Sequence, residues 1–195
     1  MTVLTHSFVF ITGASSGIGR SCAYKFAQAG AKLILIARRK ERLEKLAAEF
    51  KNQFKTESYV GALDIRDRHA VTKFIQKLPV EWQDIDILIN NAGLSRGLHK
   101  LHEGQFEDWE EMIDTNVKGL LYVSRTVLPG MVERRKGTII NIGSIAGHDV
   151  YPGGNVYCAT KHAVDALTKG MRMDLVDTPI RVCTIDPGLF ETEFS

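Results

Sequence analysis

The sequence predicts an α/β fold, a doubly wound parallel sheet with helices on both of its faces. Short apolar runs of strand length alternate along the chain with longer stretches of helical composition. The apolar runs lack the polar–apolar alternation of a strand with one solvent face, so each strand is expected to be buried on both sides. In such a sheet, ligands bind beyond the carboxyl ends of the strands.

The strands and helices follow one another in a regular order. The predicted strands cover residues 7–11, 33–37, 58–63, 85–89, 138–142 and 180–185. The predicted helices cover residues 17–29, 40–51, 67–77, 107–133 and 155–176. The second helix is dense in Glu, Lys, Leu and Ala, which favour helix, and Pro79 closes the third. No repeat or linker divides the chain, so we expect one domain over residues 1–195.

Composition and charge argue against several classes of protein. The formal net charge is +2, and no basic stripe or block indicates binding to nucleic acid or to an anionic membrane. The three cysteines, Cys22, Cys158 and Cys183, lie far apart without a Cys-x-x-Cys spacing, so neither disulfides nor a metal site are expected. No apolar run approaches the roughly 18 residues of a membrane span. A cytoplasmic protein fits these features best.

A glycine-rich turn over residues 12–19 follows the first strand and opens the first helix, with the spacing Gly-x-x-x-Gly-x-Gly. Glycines let the backbone approach a pyrophosphate, and the helix N-terminus then offers N–H donors and the positive end of its dipole. A tight turn without a ligand is the alternative, but the position after the first strand favours a nucleotide. The residues expected to bind it are Gly13, Ser15, Ser16, Gly17, Ile18 and Gly19.

Two arginines, Arg38 and Arg39, follow the second strand. An acidic residue at this point would bind the ribose hydroxyls of NAD, whereas an arginine matches the geometry of the 2′-phosphate of NADP. Residues 37–40 contain no acid, so the sequence favours NADP over NAD. The alternative is the solvated start of a helix, although cations are mildly unfavourable at a helix N-terminus.

Tyr157 and Lys161 are four residues apart on a predicted helix and therefore share one face. A lysine ammonium beside a phenol stabilises the phenolate and lowers the pKa of the tyrosine, which would make Tyr157 a general acid and base. Ser144 stands at the carboxyl end of the fifth strand, where its hydroxyl could hold a substrate oxygen. Taken singly, such a Tyr–Lys pair is usually surface decoration and such a serine is usually part of a turn.

Asparagine and glycine mark two further segments. Residues 90–93, with the sequence Asn-Asn-Ala-Gly, end the fourth strand. Residues 114–119 lie inside the long helical stretch, where Asn116 and Gly119 are both unfavourable for helix. A break of this kind inside a helix indicates a local bulge with a function.

Together these motifs resemble the short-chain dehydrogenase/reductase family. The glycine turn, Asn-Asn-Ala-Gly, the asparagine inside the helix, the serine, Tyr-x-x-x-Lys and a Pro-Gly pair at 187–188 occur in the family's order and spacing. The resemblance covers essentially the whole chain. It implies a Rossmann-type sheet and an NADP-dependent oxidoreductase that moves a hydride to or from a carbon bearing a hydroxyl group.

The resemblance also implies roles for single residues. Tyr157 is similar to the family's acid/base and would also contact the cofactor. Lys161 is similar to the residue that lowers the pKa of that tyrosine and holds the nicotinamide ribose. Ser144 resembles the residue that fixes the substrate oxygen, so Ser144 and Tyr157 would contact substrate. Asn116 resembles the asparagine that props a helix bulge and a water in the proton path. The other implied cofactor contacts are Asp64 and Ile65 at the adenine, Asn91, Ala92 and Gly93 at the adenosine ribose, and Pro187, Gly188, Leu189 and Thr192 at the nicotinamide amide.

One branch of the family, the NADP-dependent serine, L-allo-threonine and 3-hydroxy-acid dehydrogenases, is similar in three further stretches, within residues 78–88, 143–147 and 187–195. This implies a reaction at the 3-hydroxyl carbon of a small hydroxy acid or hydroxy amino acid. A general carbonyl or lipid-type reductase and a non-catalytic NADP-binding scaffold are the alternatives.

Three expectations concern the surroundings of the site. Members of this branch continue with a substrate-covering loop and helix and a seventh strand, which this chain lacks, so we expect it to be the retained part of a longer protein. The long helices at 107–133 and 155–176 are rich in apolar residues, and in the family they form subunit interfaces, which implies a homotetramer or a homodimer. His148 and Tyr151 lie either along the pocket or in an ordinary loop.

Overall fold

A single parallel sheet organises the part of the chain that the computed structural model describes, residues 4–188. Its strands are β1 Phe8–Thr12, β2 Lys32–Ala37, β3 Ser58–Ala62, β4 Ile85–Asn90, β5 Thr138–Ile142 and β6 Arg181–Ile185. Their order across the sheet is β3-β2-β1-β4-β5-β6, so the winding direction reverses between β1 and β4. A reversal of this kind opens the crevice at which doubly wound folds bind nucleotides. The predicted fold class is confirmed.

The helices that cover the sheet within residues 4–188 are α1 Gly17–Gln28, α2 Lys40–Phe54, α3 Arg68–Gln76, α4 Phe106–Ile113, α5 Leu120–Glu133 and α6 Asn155–Asp174. The predicted end of α2 at residue 51 is wrong by one turn. Helix α2 continues until Lys55, which adopts the left-handed conformation with φ 59°. The continuation lets Phe54 pack edge-on against Tyr24 of α1, with ring centroids 6.0 Å apart.

Apolar side chains fill both faces of the sheet. On one face, Phe10 of β1 packs in a cluster with residues of α3 and α5, among them Val71 and Val127. On the other face, Val9 and Ile11 pack with residues of α1 and α2. Alternate residues of β1 thus point to opposite cores, which is the reason that the strand is apolar throughout.

The long helix predicted over residues 107–133 is interrupted. A π-helical turn, Asp114–Gly119, separates α4 from α5, so the bulge expected at Asn116 and Gly119 is confirmed. Gly119 lets Ile65 lie close to the turn, since an added Cβ would be 2.5 Å from Ile65 Cδ1. The π-turn therefore packs directly on the segment that follows β3.

The parallel strands bring every motif of the sequence to one edge of the sheet. The glycine turn follows β1, the arginine pair follows β2, and Asn91 and Ser144 lie just beyond β4 and β5. The register places Asn90 of β4 beside Asn141 of β5. One edge consequently carries both the candidate cofactor residues and the candidate catalytic residues.

Candidate active site

The turn between β1 and α1 has the shape of a phosphate cradle. Gly13 and Gly17 have positive φ angles of 65° and 53°, which residues with side chains rarely adopt. At Gly19 an added Cβ would collide with the Asn91 amide and lie 2.5 Å from the Gly13 carbonyl oxygen. Within the described residues, α1 begins with neither a side-chain cap nor an acidic residue in its first turn. The turn therefore fits the pyrophosphate of a dinucleotide.

Thr12 and Asn91 stabilise this turn through hydrogen bonds between it and the loop after β4. The N–H groups of Asn91 and Ala92 both donate to Thr12 Oγ1 at 2.9 Å. In return, Asn91 Nδ2 donates to the carbonyl oxygens of Thr12 and Gly13 at 3.0 and 3.1 Å. The loop after β4 thus braces the glycine turn. Sequence reasoning did not single out Thr12 for this role, because a threonine at the end of an apolar strand resembles any other strand residue.

Arg39 reaches the same turn from the end of β2. Its guanidinium lies 3.0 Å from Ser16 Oγ and 3.4 Å from Ser15 Oγ. Ile18 packs against the apolar core beneath the turn. The structure thus brings a cation to the serines of the glycine turn.

Arg38 belongs to a separate cluster of charges at the ends of β2 and β3. Its NH1 atom is 3.4 Å from Glu111 Oε1. Arg66 NH1 lies 3.2 Å from the same oxygen, and Arg66 NH2 lies 2.6 Å from Asp64 Oδ2. Arg96, in the loop after β4, lies 3.2 Å from Glu111 Oε2. Neither Glu111 nor Arg66 carried a motif in the sequence, since Glu111 is 73 residues from Arg38.

The two residues predicted at the adenine, Asp64 and Ile65, follow β3 and lie next to this cluster. Burial alone would raise the pKa of Asp64, but hydrogen bonds from Arg66 and the charges of Arg66 and Arg38 lower it. The Asp64 carboxylate is therefore ionised and bound to arginine. Ile65 is buried against Gly119 of the π-turn.

Ser144 and Tyr157 meet across the gap between β5 and α6. Their side chains are hydrogen-bonded, an interaction that favours the phenolate. Burial of the phenol raises the pKa of Tyr157 by more than this hydrogen bond lowers it, so the net pKa is above the ordinary value of 10. The expected lowering of the Tyr157 pKa is therefore wrong for these residues: the ring is half-buried, and desolvation outweighs the polar contact.

Lys161 lies one helical turn beyond Tyr157, as predicted. Its side chain is buried, and Nζ donates a 2.8 Å hydrogen bond to the Ile142 carbonyl oxygen while lying 5.8 Å from the centroid of the Tyr157 ring. Burial lowers the pKa of Lys161 to about 8, although the charge of Asp186 opposes this shift. A lysine with this pKa is still mostly charged at neutral pH, so it can act on the adjacent phenol.

Asn116 ties α6 to the loop after β4. The Leu94 N–H donates to Asn116 Oδ1 at 2.8 Å, and Asn116 Nδ2 donates to the Leu94 carbonyl oxygen at 2.9 Å. The same Nδ2 donates to Thr160 Oγ1 at 3.0 Å, and Thr160 Oγ1 donates to the Tyr157 carbonyl oxygen at 2.7 Å. Gly93 lies close, since an added Cβ would be 3.2 Å from Asn116 Oδ1. Asn116 therefore joins the π-turn, this loop and α6.

A chain of buried polar side chains crosses the core under these residues. Asn90 Nδ2 donates to Ser124 Oγ and to Asn141 Oδ1, both at 2.9 Å. Asn141 Nδ2 then donates to Thr168 Oγ1 of α6 at 2.8 Å. Among the side-chain atoms of Asn90, Ser124, Asn141 and Thr168, only Asn90 Oδ1 is buried without a partner in the described structure. This hydrogen-bonded network links β4, β5, α5 and α6. It therefore fixes the relative positions of the elements that carry Tyr157 and Ser144.

A shallow depression lies beside Tyr157. The loop after β4 contributes His99 to its lining, α4 contributes Trp109, and α6 contributes Asn155 and Val156. His148 and Tyr151 lie outside this lining. The Tyr151 ring packs on Gly154, where an added Cβ would be 2.5 Å from Tyr151 Cζ.

The segment after β6 lies against the turn that carries Ser144. The Ile145 N–H donates to the Pro187 carbonyl oxygen at 3.2 Å, and His148 Nε2 lies 3.2 Å from Asp186 Oδ2. Gly188 follows at the end of the described chain. Leu189 and Thr192, also predicted to contact the cofactor, lie outside the described residues.

Residues 4–188 contain neither a metal-binding cluster nor a membrane-spanning helix. His, Cys, Asp and Glu side chains nowhere gather there in a group of three or more that could hold a metal ion. None of the helices in this range combines the length and hydrophobicity that crossing a bilayer requires.

The chemistry available at this edge is proton transfer beside a dinucleotide. Ser144 and Tyr157 present two adjacent hydroxyl groups that can hold one substrate oxygen, and Lys161 supplies a positive charge behind the phenol. A phenol in this setting can donate or accept a proton as its partner atom gains or loses a hydride. The glycine turn and Arg39 lie on the same edge and fit the other end of the cofactor.

Comparison with known proteins points the same way. Residues 7–195 match the family model described as short chain dehydrogenase. The NADP-dependent 3-hydroxy acid dehydrogenase YdfG of Escherichia coli strain K12 is 50% identical over 188 residues, which is 96% of this chain and 74% of the relative. The NADP-dependent 3-hydroxy acid dehydrogenase of Schizosaccharomyces pombe is 45% identical over 196 residues, covering 100% of this chain and 76% of the relative.

A solved structure is similar at the level of the fold and of the sequence. The closed form of serine dehydrogenase complexed with NADP⁺ superimposes with a TM-score of 0.91 and 49% sequence identity. The match covers 96% of this chain and 74% of that structure.

Proposed function

Since this chain belongs to the short-chain dehydrogenase family, we propose that it is an NADP-dependent oxidoreductase acting on the 3-hydroxyl carbon of a small hydroxy acid or hydroxy amino acid. The observation that carries the proposal is the contact between Ser144 and Tyr157, with the Lys161 ammonium beside the ring. The names of its relatives, 3-hydroxy acid dehydrogenase and serine dehydrogenase, support the substrate class.

Tyr157 is the proposed acid/base. In the oxidative direction its phenolate accepts the proton of the substrate hydroxyl, and in the reductive direction its phenol returns that proton to the substrate oxygen. Ser144 donates a hydrogen bond to the same oxygen and so fixes the reacting carbon. When NADP is bound, its nicotinamide ring accepts or supplies the hydride.

Lys161 and Asn116 support this proton transfer. The ammonium of Lys161, 5.8 Å from the centroid of the Tyr157 ring, would stabilise a phenolate through space. Asn116 positions the catalytic helix, because it binds Thr160, whose hydroxyl bonds the Tyr157 carbonyl. We assign Asn116 a positioning role, since its side-chain amide is engaged by Leu94 and Thr160.

The proposed cofactor site extends along the sheet edge in one NADP-binding domain formed by the chain. The glycine turn receives the pyrophosphate, and Arg39 with Arg38 receives the 2′-phosphate. Asp64 and Ile65 flank the adenine, and Asn91 to Gly93 flank the adenosine ribose. Pro187 and Gly188 lie beside the turn that carries Ser144, in accord with a contact to the nicotinamide amide.

We also propose that the protein is a cytoplasmic homotetramer, or failing that a homodimer. Apolar side chains that are exposed on α4 and α5, such as Ile113 and Leu121, support an interface on these helices. The three cysteines are all unpaired, as is usual in a reducing compartment. Light scattering that gives the mass of a monomer would contradict the oligomer.

The experiment that tests the function is NADP⁺ reduction by the full protein with L-serine, L-allo-threonine and 3-hydroxypropionate, for wild type and for Tyr157→Phe. General acid–base groups contribute about 10²- to 10⁴-fold, so we expect kcat of the variant to fall by at least about 10²-fold. The Kd for NADPH should stay unchanged, because the phenyl ring retains the packing. The matched control is Tyr24→Phe, whose ring packs on Phe50 in the distant α1–α2 contact.

The outcomes separate the alternatives. Turnover that Tyr157→Phe abolishes supports the proposed chemistry, and the ranking of substrates tests the substrate class. Turnover of neutral carbonyl compounds alone would favour a general reductase. NADPH binding without turnover of any alcohol or carbonyl substrate would favour a non-catalytic scaffold.

A further inference from the structure

Glu111 of α4 is the centre of an arginine cluster that joins three parts of the sheet edge. Its carboxylate contacts Arg38 after β2, Arg66 after β3 and Arg96 in the loop after β4. The Glu111 side chain is 21% exposed, so it is more buried than any of the three arginines around it. A single acid thus holds three cations beside the proposed site of the 2′-phosphate.

One oxygen of this carboxylate occupies a position that two arginines share. Glu111 Oε1 is 3.4 Å from Arg38 NH1 and 3.2 Å from Arg66 NH1. An anionic oxygen between two guanidinium groups is also the arrangement by which arginines bind phosphate. Arg38 is one of the two arginines proposed for the 2′-phosphate.

We propose that the Glu111 carboxylate is an internal counterion for the arginines of the 2′-phosphate site, and that it competes with the 2′-phosphate of NADP for Arg38. The inference rests on the proposed function, since it presupposes that the chain binds NADP. Glu111 then sets how tightly, and how reversibly, the enzyme holds its cofactor.

The contacts indicate which arginine exchanges partners. Arg38 is 57% exposed and makes the longest of the three contacts with Glu111, so its release costs little. Arg66 is anchored independently, because its NH2 lies 2.6 Å from Asp64 Oδ2 and its Nε lies 3.0 Å from both Asp64 oxygens. When Arg38 turns to the phosphate, Arg66 and Arg96 keep Glu111 in place.

The charges also balance. Arg38, Arg66 and Arg96 face two carboxylates, Asp64 and Glu111, which leaves a net charge of +1. Arg39, beside the serines of the glycine turn, brings the net charge of the proposed 2′-phosphate site to +2. A phosphate monoester carries about −1.5 to −2 at neutral pH. The cluster together with Arg39 therefore matches the charge of the phosphate while Glu111 is present, and loss of that carboxylate would leave an excess of positive charge.

The test is Glu111→Gln, with Glu110→Gln as the matched control on the same helix, where Glu110 is exposed. Titrations follow NADPH and NADH by fluorescence, and adenosine 2′,5′-bisphosphate and ADP by calorimetry. In Glu111→Gln we expect the Kd for NADPH and for adenosine 2′,5′-bisphosphate to fall by about threefold to fivefold, the scale of one partly exposed charge pair. The Kd for NADH and ADP should stay unchanged.

Two results would overturn the inference. One is a Kd for NADPH that is the same in Glu111→Gln and Glu110→Gln, or that is higher in Glu111→Gln. The other is an equal change for NADPH and NADH, which would indicate a structural effect. Glu111→Asp, which withdraws the carboxylate by one methylene, should give an intermediate Kd, and thermal melts establish that the variants are folded. Wild-type protein that does not prefer NADPH to NADH would instead contradict the proposed function.

Discussion

The two halves of the sheet edge bind by different physical means. At the cofactor end, the glycine turn offers backbone groups and the arginines offer exposed charges, with Arg38 57% exposed. At the catalytic end, polar side chains are buried, with Lys161 5% and Asn116 2% exposed. The charged groups of the cofactor end are hydrated until the ligand binds. The polar groups of the catalytic end already lost their water when the chain folded.

This difference decides how much each residue contributes. Exposed charge pairs are screened and are worth about 1 kcal/mol or less. A buried polar group left without a partner costs about 1–3 kcal/mol, and more if it is charged. The catalytic end should therefore be sensitive to single substitutions, and the cofactor end should tolerate them.

The largest effect is expected at Lys161. Lys161→Met removes the charge that stabilises the Tyr157 phenolate, so we expect kcat/KM to fall by about 10²-fold or more. Steady-state kinetics with NADP⁺ and the best substrate measure this change. Lys169→Met, on the exposed side of the same helix, is the control and should leave kcat/KM unchanged.

The dependence of the free energy of unfolding on pH provides a second test of Lys161. Burial lowers the pKa of Lys161 from 10.5 to about 8, so between these pH values the unfolded chain binds a proton that the folded chain does not. The free energy of unfolding of the wild type should therefore rise from pH 8 to pH 10.5 relative to Lys161→Met. Equal slopes for the two proteins in denaturant titrations would mean that Lys161 is not held as a desolvated group.

A smaller but still large effect is expected at Asn116. Asn116→Ala leaves the Leu94 backbone groups and the Thr160 hydroxyl without their partner, so the free energy of unfolding should fall by about 2–3 kcal/mol. Urea unfolding measures it. Asn52→Ala, on the exposed face of α2, should be neutral or slightly stabilising, because alanine favours helix. An equal midpoint for Asn116→Ala and wild type would contradict the linking role.

The smallest effect is expected at the exposed cofactor end. Arg39→Ala removes the cation beside Ser16, so we expect the Kd for NADPH to rise by about threefold to fivefold, the scale of one exposed charge interaction. The Kd for NADH should be unaffected. Arg68→Ala has the same charge change at an exposed site on α3 and should leave both constants unchanged. A larger loss at Arg39 than at Lys161, expressed as free energy, would reverse the comparison between the two ends.

Local signals predicted much of this molecule from the sequence. The strand and helix positions follow from runs of apolar residues and from helix formers, and their errors are confined to ends such as that of α2, which Phe54 extends by packing on Tyr24. The glycine turn can be predicted from the sequence because Gly13 and Gly17 need φ angles that few other residues tolerate. The bulge around Asn116 is readable because that residue is unfavourable inside a helix.

The contacts between residues far apart in the chain could not be predicted from the sequence. Glu111 carried no signal, because its partners come from three distant segments and an acid on a helix surface is usual. The hydrogen-bond partners of Asn116 could not be predicted from the sequence either. Nor could the role of Thr168, whose hydroxyl accepts a hydrogen bond from the Asn141 amide across the core.

The sequence by itself determined the alternation of strands and helices, the conformation of the glycine turn and the spacing of Tyr157 and Lys161, since propensity, φ angles and helical periodicity are properties of neighbouring residues. Only the tertiary structure decided which charges meet at Glu111 and in which direction the pKa of Tyr157 moves. A pKa depends on burial and on distances to groups remote in the chain. Those quantities exist only once the sheet and its helices have packed together.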